Sequence, residues 1–176
     1  MKILITGGAG YIGSHTIIDI LENTEHEVIS IDNYSNSSPA TFDRIREITG
    51  KTVRNYNIDL TDYKSLRDDF FARESDLDGV IHFAALKAVG ESVEKPVMYY
   101  HNNLNSLINL LKCVEKFDIR HFIFSSSCTV YGNAEAQPVT EKTPTQQPES
   151  PYGYTKLVGE NILNDFSKTK EGFNSL

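Results

Sequence analysis

Short apolar runs and longer amphipathic stretches take turns along the chain, a rhythm that predicts alternating strands and helices. Five short runs read as strands: Lys2–Thr6, Glu27–Asp32, Val53–Ile58, Gly79–Ala84 and His121–Ser126. Val80-Ile81-His82-Phe83 and Phe122-Ile123-Phe124 are largely apolar without a polar alternate, which suits strands buried on both faces of a parallel sheet. Helical periodicity covers Tyr11–Glu22, Pro39–Thr49, Asp62–Arg73, Pro96–Phe117 and Pro151–Lys168. In the fourth of these, Leu104, Leu107, Ile108 and Leu111 recur at i, i+3, i+4 and i+7 and make one stripe for packing on a sheet or a partner helix. Gly172–Leu176 begins as a sixth strand. The expected fold is α/β, a doubly wound parallel sheet of the Rossmann type cut short at that sixth strand. Residues 1–176 are expected to be one domain, the N-terminal part of a longer protein. Gly132–Ser150, rich in Pro, Gln, Glu and Thr, reads as a long loop between strand and helix, and such loops usually carry function.

Chemistry begins where the first run ends. Thr6 to Gly13 reads TGGAGYIG, so a strand breaks into glycines and then into a helix. That junction aims unpaired backbone N–H groups and the positive end of a helix dipole at one spot, which suits a pyrophosphate. Gly7 is expected to allow the tight turn, Gly10 to let the backbone approach the phosphates, and Gly13 to let the helix pack close to the strand. The second run, Val28-Ile29-Ser30-Ile31-Asp32, ends in an acid about twenty residues past the glycines, the spacing of a ribose-binding carboxylate. Asp32 is expected to accept both ribose hydroxyls and to repel a 2′-phosphate, so the expected cofactor is NAD rather than NADP.

A second constellation lies in Ser150-Pro151-Tyr152-Gly153-Tyr154-Thr155-Lys156. Ser150 is a good N-cap and Pro151 a good first helical residue, which sets Tyr152 and Lys156 one turn apart on one face. A tyrosine hydroxyl, with an ordinary pKa of about 10, is a poor base at neutral pH, and a neighbouring ammonium favours its ionised form. The pair can therefore take a proton from a sugar hydroxyl. Ser125-Ser126-Ser127 ends the fifth strand, and ligands of open parallel sheets sit beyond the carboxyl ends of the strands. Ser127 there can hydrogen-bond the reacting oxygen.

Composition narrows the partners. The chain has 176 residues, 39% hydrophobic and 23% charged, enough for a domain with a real core. Its net charge of −7 argues against a nucleic-acid or anionic-membrane surface as the main partner. No apolar stretch approaches the roughly 20 residues of a membrane span. Cys113 and Cys128, outside any CxxC pattern, fit a reducing compartment, and the cytoplasm is expected. The five histidines show no ligand spacing, so no metal is expected.

TGGAGYIGSH, HFAALKAVGES, YYHNN, SSSCTVYG and SPYGYTK together resemble the extended short-chain dehydrogenase/reductase family, and within it the 4-epimerases of UDP-sugars. The likeness runs from Met1 to the end of the chain and covers about the first half of such an enzyme. It implies that Gly7, Gly10, Tyr11, Ile12 and Gly13 hold the pyrophosphate of NAD, and that Asp32 and Asn33 hold the adenosine ribose with Tyr34, Ser35, Asn36 and Ser37 beside it. It implies that Asp59 and Leu60 contact adenine and that Phe83, Ala84, Ala85, Leu86 and Lys87 line the cofactor, Lys87 on its ribose, with Asn102 facing it. Ser127, Tyr152 and Lys156 would be the catalytic triad, Lys156 also holding the nicotinamide ribose. Lys87, Ser127 and Tyr152 would meet a UDP-sugar substrate. The implied reaction interconverts UDP-galactose and UDP-glucose through a 4-keto sugar, in galactose metabolism, and the implied assembly is a homodimer through the helices from Pro96 and Pro151. Dehydratases of the family carry Asp-Glu after the serine; here stand Cys128 and Thr129, which cannot protonate a leaving hydroxyl. Another nucleotide-sugar epimerase remains an alternative, as does a non-catalytic NAD-binding module if the chain acts alone.

Overall fold

In the computed structural model, which describes residues 1–134 and 137–176, strand and helix alternate as the hydrophobic pattern predicts. The order is β1 (Lys2–Thr6), α1 (Tyr11–Asn23), β2 (Glu27–Ile31), α2 (Ala40–Thr49), β3 (Arg54–Tyr56), α3 (Tyr63–Ser65) running into a π-helical turn (Leu66–Phe71), β4 (Gly79–His82), α4 (Val89–Glu94), α5 (Pro96–Lys116), β5 (His121–Phe124), a 3₁₀ turn (Cys128–Tyr131), α6 (Pro151–Thr169) and β6 (Asn174–Ser175). All six strands pair in parallel in one sheet of order β3-β2-β1-β4-β5-β6. This is the doubly wound arrangement, and its winding reverses between β1 and β4, where a crevice opens beyond the strand ends. β6 pairs with β5, and Leu176 extends the ladder through Phe124 N–H and Phe122 O, so the expected sixth strand is present.

Neighbouring residues on one strand feed opposite faces, as a period of two requires. Ile5 and Val28 join Ile17, Leu21, Ile45 and Val53 under α1 and α2. Leu4 and Ile29 join Leu66, Phe70, Phe71, Leu107, Leu110, Phe122 and Leu163 on the other face. A strand flanked on both faces has no solvated side, which explains the apolar runs of β1 and β2; β5 departs from the expectation, since Phe122 is buried but Ile123 on its other face stands exposed.

Two elements differ from the expectation. The predicted helix Asp62–Arg73 starts as expected, with the Asp62 carboxylate accepting from the Lys64 and Ser65 amides, but widens to a π turn after Ser65. The wider turn brings Leu66, Phe70 and Phe71 all to the core, with Phe70 edge-on to Phe71 at 5.0 Å and Phe71 stacked on Phe117 at 5.6 Å. Helix α4 was not expected at all, because VGESVE carries no apolar stripe. It is held from outside: the fully buried Tyr99 accepts from Ala88 N–H (3.1 Å) and donates to Glu91 (3.0 Å), and Glu91 also pairs with Lys95 (3.0 Å).

Candidate active site

The crevice between β1 and β4 widens into a cleft of about 370 Å³, lined from the ends of β1, β2, β3, β4 and β5 and from α5 and α6. The glycine loop forms one wall. Gly7 has φ +73°, and a Cβ there would meet the Ala84 backbone at 2.8 Å. A Cβ on Gly13 would lie 2.2 Å from Gly7 O and 2.9 Å from Gly8 Cα. The close approach at Gly13 is therefore to the loop itself, a correction to the expected contact with the strand. Helix α1 starts at Gly10 with no side chain accepting from its first-turn amides and no acid in that turn. Those amides and the positive helix end are left for an anion, so the residues fit a pyrophosphate.

Asp32 sits at the end of β2, 9% exposed, and ties the glycine loop to the next one. Its Oδ2 accepts from Ala9 N–H (3.0 Å), and its Oδ1 accepts from Tyr34 N–H (2.9 Å) and the Ser37 hydroxyl (2.7 Å). A carboxylate offers about four acceptor positions, so three of them are filled. One position on Oδ2 is open toward the cleft, and a second becomes available if the Ser37 hydroxyl turns away. Tyr34 takes φ +58° to make the bend, and its hydroxyl accepts from Asn55 (2.8 Å) outside the cleft. Asn33 donates to Asp59 (3.3 Å), joining the ends of β2 and β3.

The opposite wall is the segment after β4. Phe83 to Leu86 are half-buried and Lys87 is exposed. Leu86 is gripped through both its N–H and its C=O by the side chain of Asn103 on α5 (2.9 and 3.0 Å). Beyond β5 lies the reactive end. The Ser150 side chain caps α6 by accepting from Gly153 N–H (3.1 Å), with Pro151 as the first helical residue. That start sets Tyr152 and Lys156 on the cleft side one turn apart. Lys156 is 4% exposed; its ammonium donates to Ser125 O (2.7 Å) and lies 4.8 Å from the centre of the Phe124 ring. Burial pushes its pKa from 10.5 down to about 8. Phe124 stacks in turn on His82 (6.0 Å, 25°), which shares a 2.7 Å hydrogen bond with Thr6 Oγ1. Burial, with the Lys156 charge adding to it, pushes His82 down to about 3, so the imidazole is neutral.

Nearly all the residues singled out from the sequence line this one cleft: the glycine loop from Gly7 and Gly10 to Gly13, Asp32, Asn33, Ser35 to Ser37, Asp59 and Leu60, Phe83 to Lys87, Asn102, Tyr152 and Lys156. Tyr34 lies behind it. Ser127 lies beside it, at the head of the 3₁₀ turn, where its Oγ accepts from the amide (3.3 Å) and the hydroxyl (3.0 Å) of Thr129. Ser125, two residues earlier, lines the cleft instead. Sequence reasoning missed Ile31, Ile58 and Ser106, and within the Ser125–Ser127 run it singled out Ser127 rather than Ser125. Ser106 could have been found, since it follows Asn102 by one helical turn.

A family model described as "NAD dependent epimerase/dehydratase family" matches residues 3–175. The chain is 50% identical over 165 residues to the UDP-glucose 4-epimerase of Bacillus subtilis, covering 94% of this chain and 48% of that protein. It is 46% identical over 177 residues to a UDP-glucose 4-epimerase of Schizosaccharomyces pombe, covering 98% and 49%. Among solved structures, the UDP-glucose 4-epimerase of Bifidobacterium longum in complex with NAD+ and UDP matches with a TM-score of 0.94 at 47% identity, over 99% of this chain and 51% of that one. The chain spans about half the length of the relatives it matches. On this match, over nearly every residue and in a fold wound the same way, the chain belongs to the NAD dependent epimerase/dehydratase family.

Proposed function

We propose that residues 1–176 form the NAD-binding, proton-transferring domain of a 4-epimerase that interconverts UDP-galactose and UDP-glucose. One observation carries this reading: Tyr152 and Lys156 open onto the same cleft as the uncapped α1 terminus and Asp32. A proton-transfer pair and a dinucleotide cradle thus share one cavity. The relatives' names and the NAD+ and UDP in the Bifidobacterium longum complex support it.

In this reading the Gly7–Gly13 loop holds the pyrophosphate, Asp32 and Asn33 the adenosine ribose, Asp59 and Leu60 the adenine, and Phe83 to Lys87 with Asn102 the remainder of NAD. Bound NAD would supply a nicotinamide ring that reversibly accepts hydride from sugar C4. Tyr152 Oη takes the proton of the 4-hydroxyl and returns it after the keto sugar has turned over in the pocket. Lys156 keeps a positive charge one turn away and holds the nicotinamide ribose. The Ser127 hydroxyl accepts twice from Thr129, so its own proton is free to be donated to the sugar oxygen. Cys128 and Thr129 supply no carboxyl to expel a hydroxyl, which favours epimerisation over dehydration. The working form in this reading is a cytoplasmic homodimer. Among the described residues no helix is long and apolar enough to cross a membrane, and Val93 and Val97 stand exposed near the α4–α5 junction.

The test is UDP-galactose turnover by the full protein and by Tyr152→Phe. Loss of a positioned acid/base is expected to lower kcat by roughly a hundredfold or more. Turnover near wild type would overturn the assignment. Nucleotide released on denaturing the wild-type protein is expected to be NAD, and NADP or no nucleotide would count against the cofactor.

A further inference from the structure

A buried side chain of α5 bridges the cofactor wall and the proton-transfer helix. Asn103, 7% exposed on α5, uses every hydrogen-bonding position that its amide needs. Its Oδ1 accepts from Leu86 N–H (2.9 Å) and Asn102 Nδ2 (3.0 Å). Its Nδ2 donates to Leu86 O (3.0 Å) and to Thr155 Oγ1 (3.0 Å). Thr155, 2% exposed, passes the link on by donating to Tyr152 O (2.7 Å). The route therefore runs from the backbone of the Phe83–Lys87 segment, through one amide and one hydroxyl, to the first turn of α6. Thr155 lies between Tyr152 and Lys156 in sequence, and the Asn103–Thr155 bond is buried, where an unpaired group is costly. Only an asparagine of this reach offers two donors and two acceptors in one plane; aspartate loses both donors and leucine all four contacts.

We propose that Asn103 is a positioning residue that couples the cofactor-lining Phe83–Lys87 segment to the placement of Tyr152 and Lys156. The proposal rests on the epimerase reading for its catalytic consequence, while the mechanical link stands on the hydrogen bonds alone. A shift of the segment on cofactor binding is transmitted to the base without any contact between Asn103 and the reacting atoms. Asn102, which lines the cleft, is steadied by the same oxygen.

The experiment compares the full wild-type protein with Thr155→Val and Thr155→Ser. Valine keeps the volume and removes the hydroxyl at the α6 end of the bridge, leaving both Leu86 bonds possible. In Thr155→Val, kcat for UDP-galactose is expected to fall roughly tenfold with KM and NAD affinity little changed, because the base is misplaced rather than the ligands lost. Exchange of the Leu86 amide, followed by NMR in the nucleotide-free protein, is expected to speed up several-fold, and serine is expected to restore both readouts. Unchanged kcat and unchanged Leu86 exchange in Thr155→Val would overturn the coupling. So would a loss of rate that serine does not rescue or that follows the melting temperature. If the wild type itself neither retains NAD nor turns over UDP-galactose while Leu86 exchange still responds to Thr155, the epimerase reading fails and the link is upheld.

Discussion

Lys156→Met is expected to make the nucleotide-free protein more stable while abolishing turnover. The ammonium is almost wholly buried, and among the described residues no carboxylate pairs with it; its polar partner is the Ser125 carbonyl at 2.7 Å. Burial lowers its pKa from 10.5 to about 8. At about 1.4 kcal/mol per unit, that drop corresponds to about 3 kcal/mol of lost stability at pH 7. Methionine keeps the stem's packing and gives up one hydrogen bond to a carbonyl, worth about 1 kcal/mol, so the net gain is about 2 kcal/mol. The sign follows from the two protonation states. Below pH 8 the lysine is charged whether folded or not, and the full cost applies. Between pH 8 and pH 10.5 the folded protein sheds the proton first and the cost shrinks; above 10.5 it is gone. Urea unfolding at pH 7 and pH 10 measures this directly, and a chain of this size should show a rise in Tm of roughly 4–8 °C at pH 7. A methionine variant no more stable than wild type at pH 7, or one whose advantage is as large at pH 10, would refute the reasoning.

Acid sensitivity is expected to come from the neighbouring histidine. His82 has its folded pKa held at about 3, well below its ordinary 6.5, so stability is complete above pH 6.5 and declines as pH falls towards 3. The loss between pH 7 and pH 5 is about 2 kcal/mol from this group, and His82→Gln should remove that slope in urea melts; an unchanged slope would reject the assignment. In the glycine loop, Gly13→Ala puts a methyl 2.2 Å from Gly7 O and is expected to cost about 1–3 kcal/mol and to empty the protein of NAD, read as nucleotide content after purification. The control is Gly90→Ala in α4, where a Cβ meets nothing within 4 Å and retention should be unchanged.

Residues close in sequence were read well. The Ser150 cap, the proline after it and the one-turn spacing of Tyr152 and Lys156 depend on a few neighbouring residues, and the structure keeps all three. The predicted strands and helices were right to within a few residues for the same reason, except where support came from elsewhere. Helix α4 has too little apolar periodicity to be seen, since Tyr99 holds it from the next helix. The π turn exists because Phe70 and Phe71 both have core partners, Tyr56 on one side and Phe117 on the other.

By itself the sequence determined the winding of the sheet, the glycine turn and the strand-end acid, all set by local periodicity and backbone freedom. Tertiary structure alone decided how those groups are spent. It bonded Asp32 to the Ala9 amide across 23 residues, Asn103 to Thr155 across 52 and Thr6 to His82 across 76, and it brought Ser125 to the cleft. It also buried Lys156 with no carboxylate partner among the described residues. Hydrogen-bond saturation and desolvation depend on which distant elements the strand order brings together, and no spacing along the chain records that.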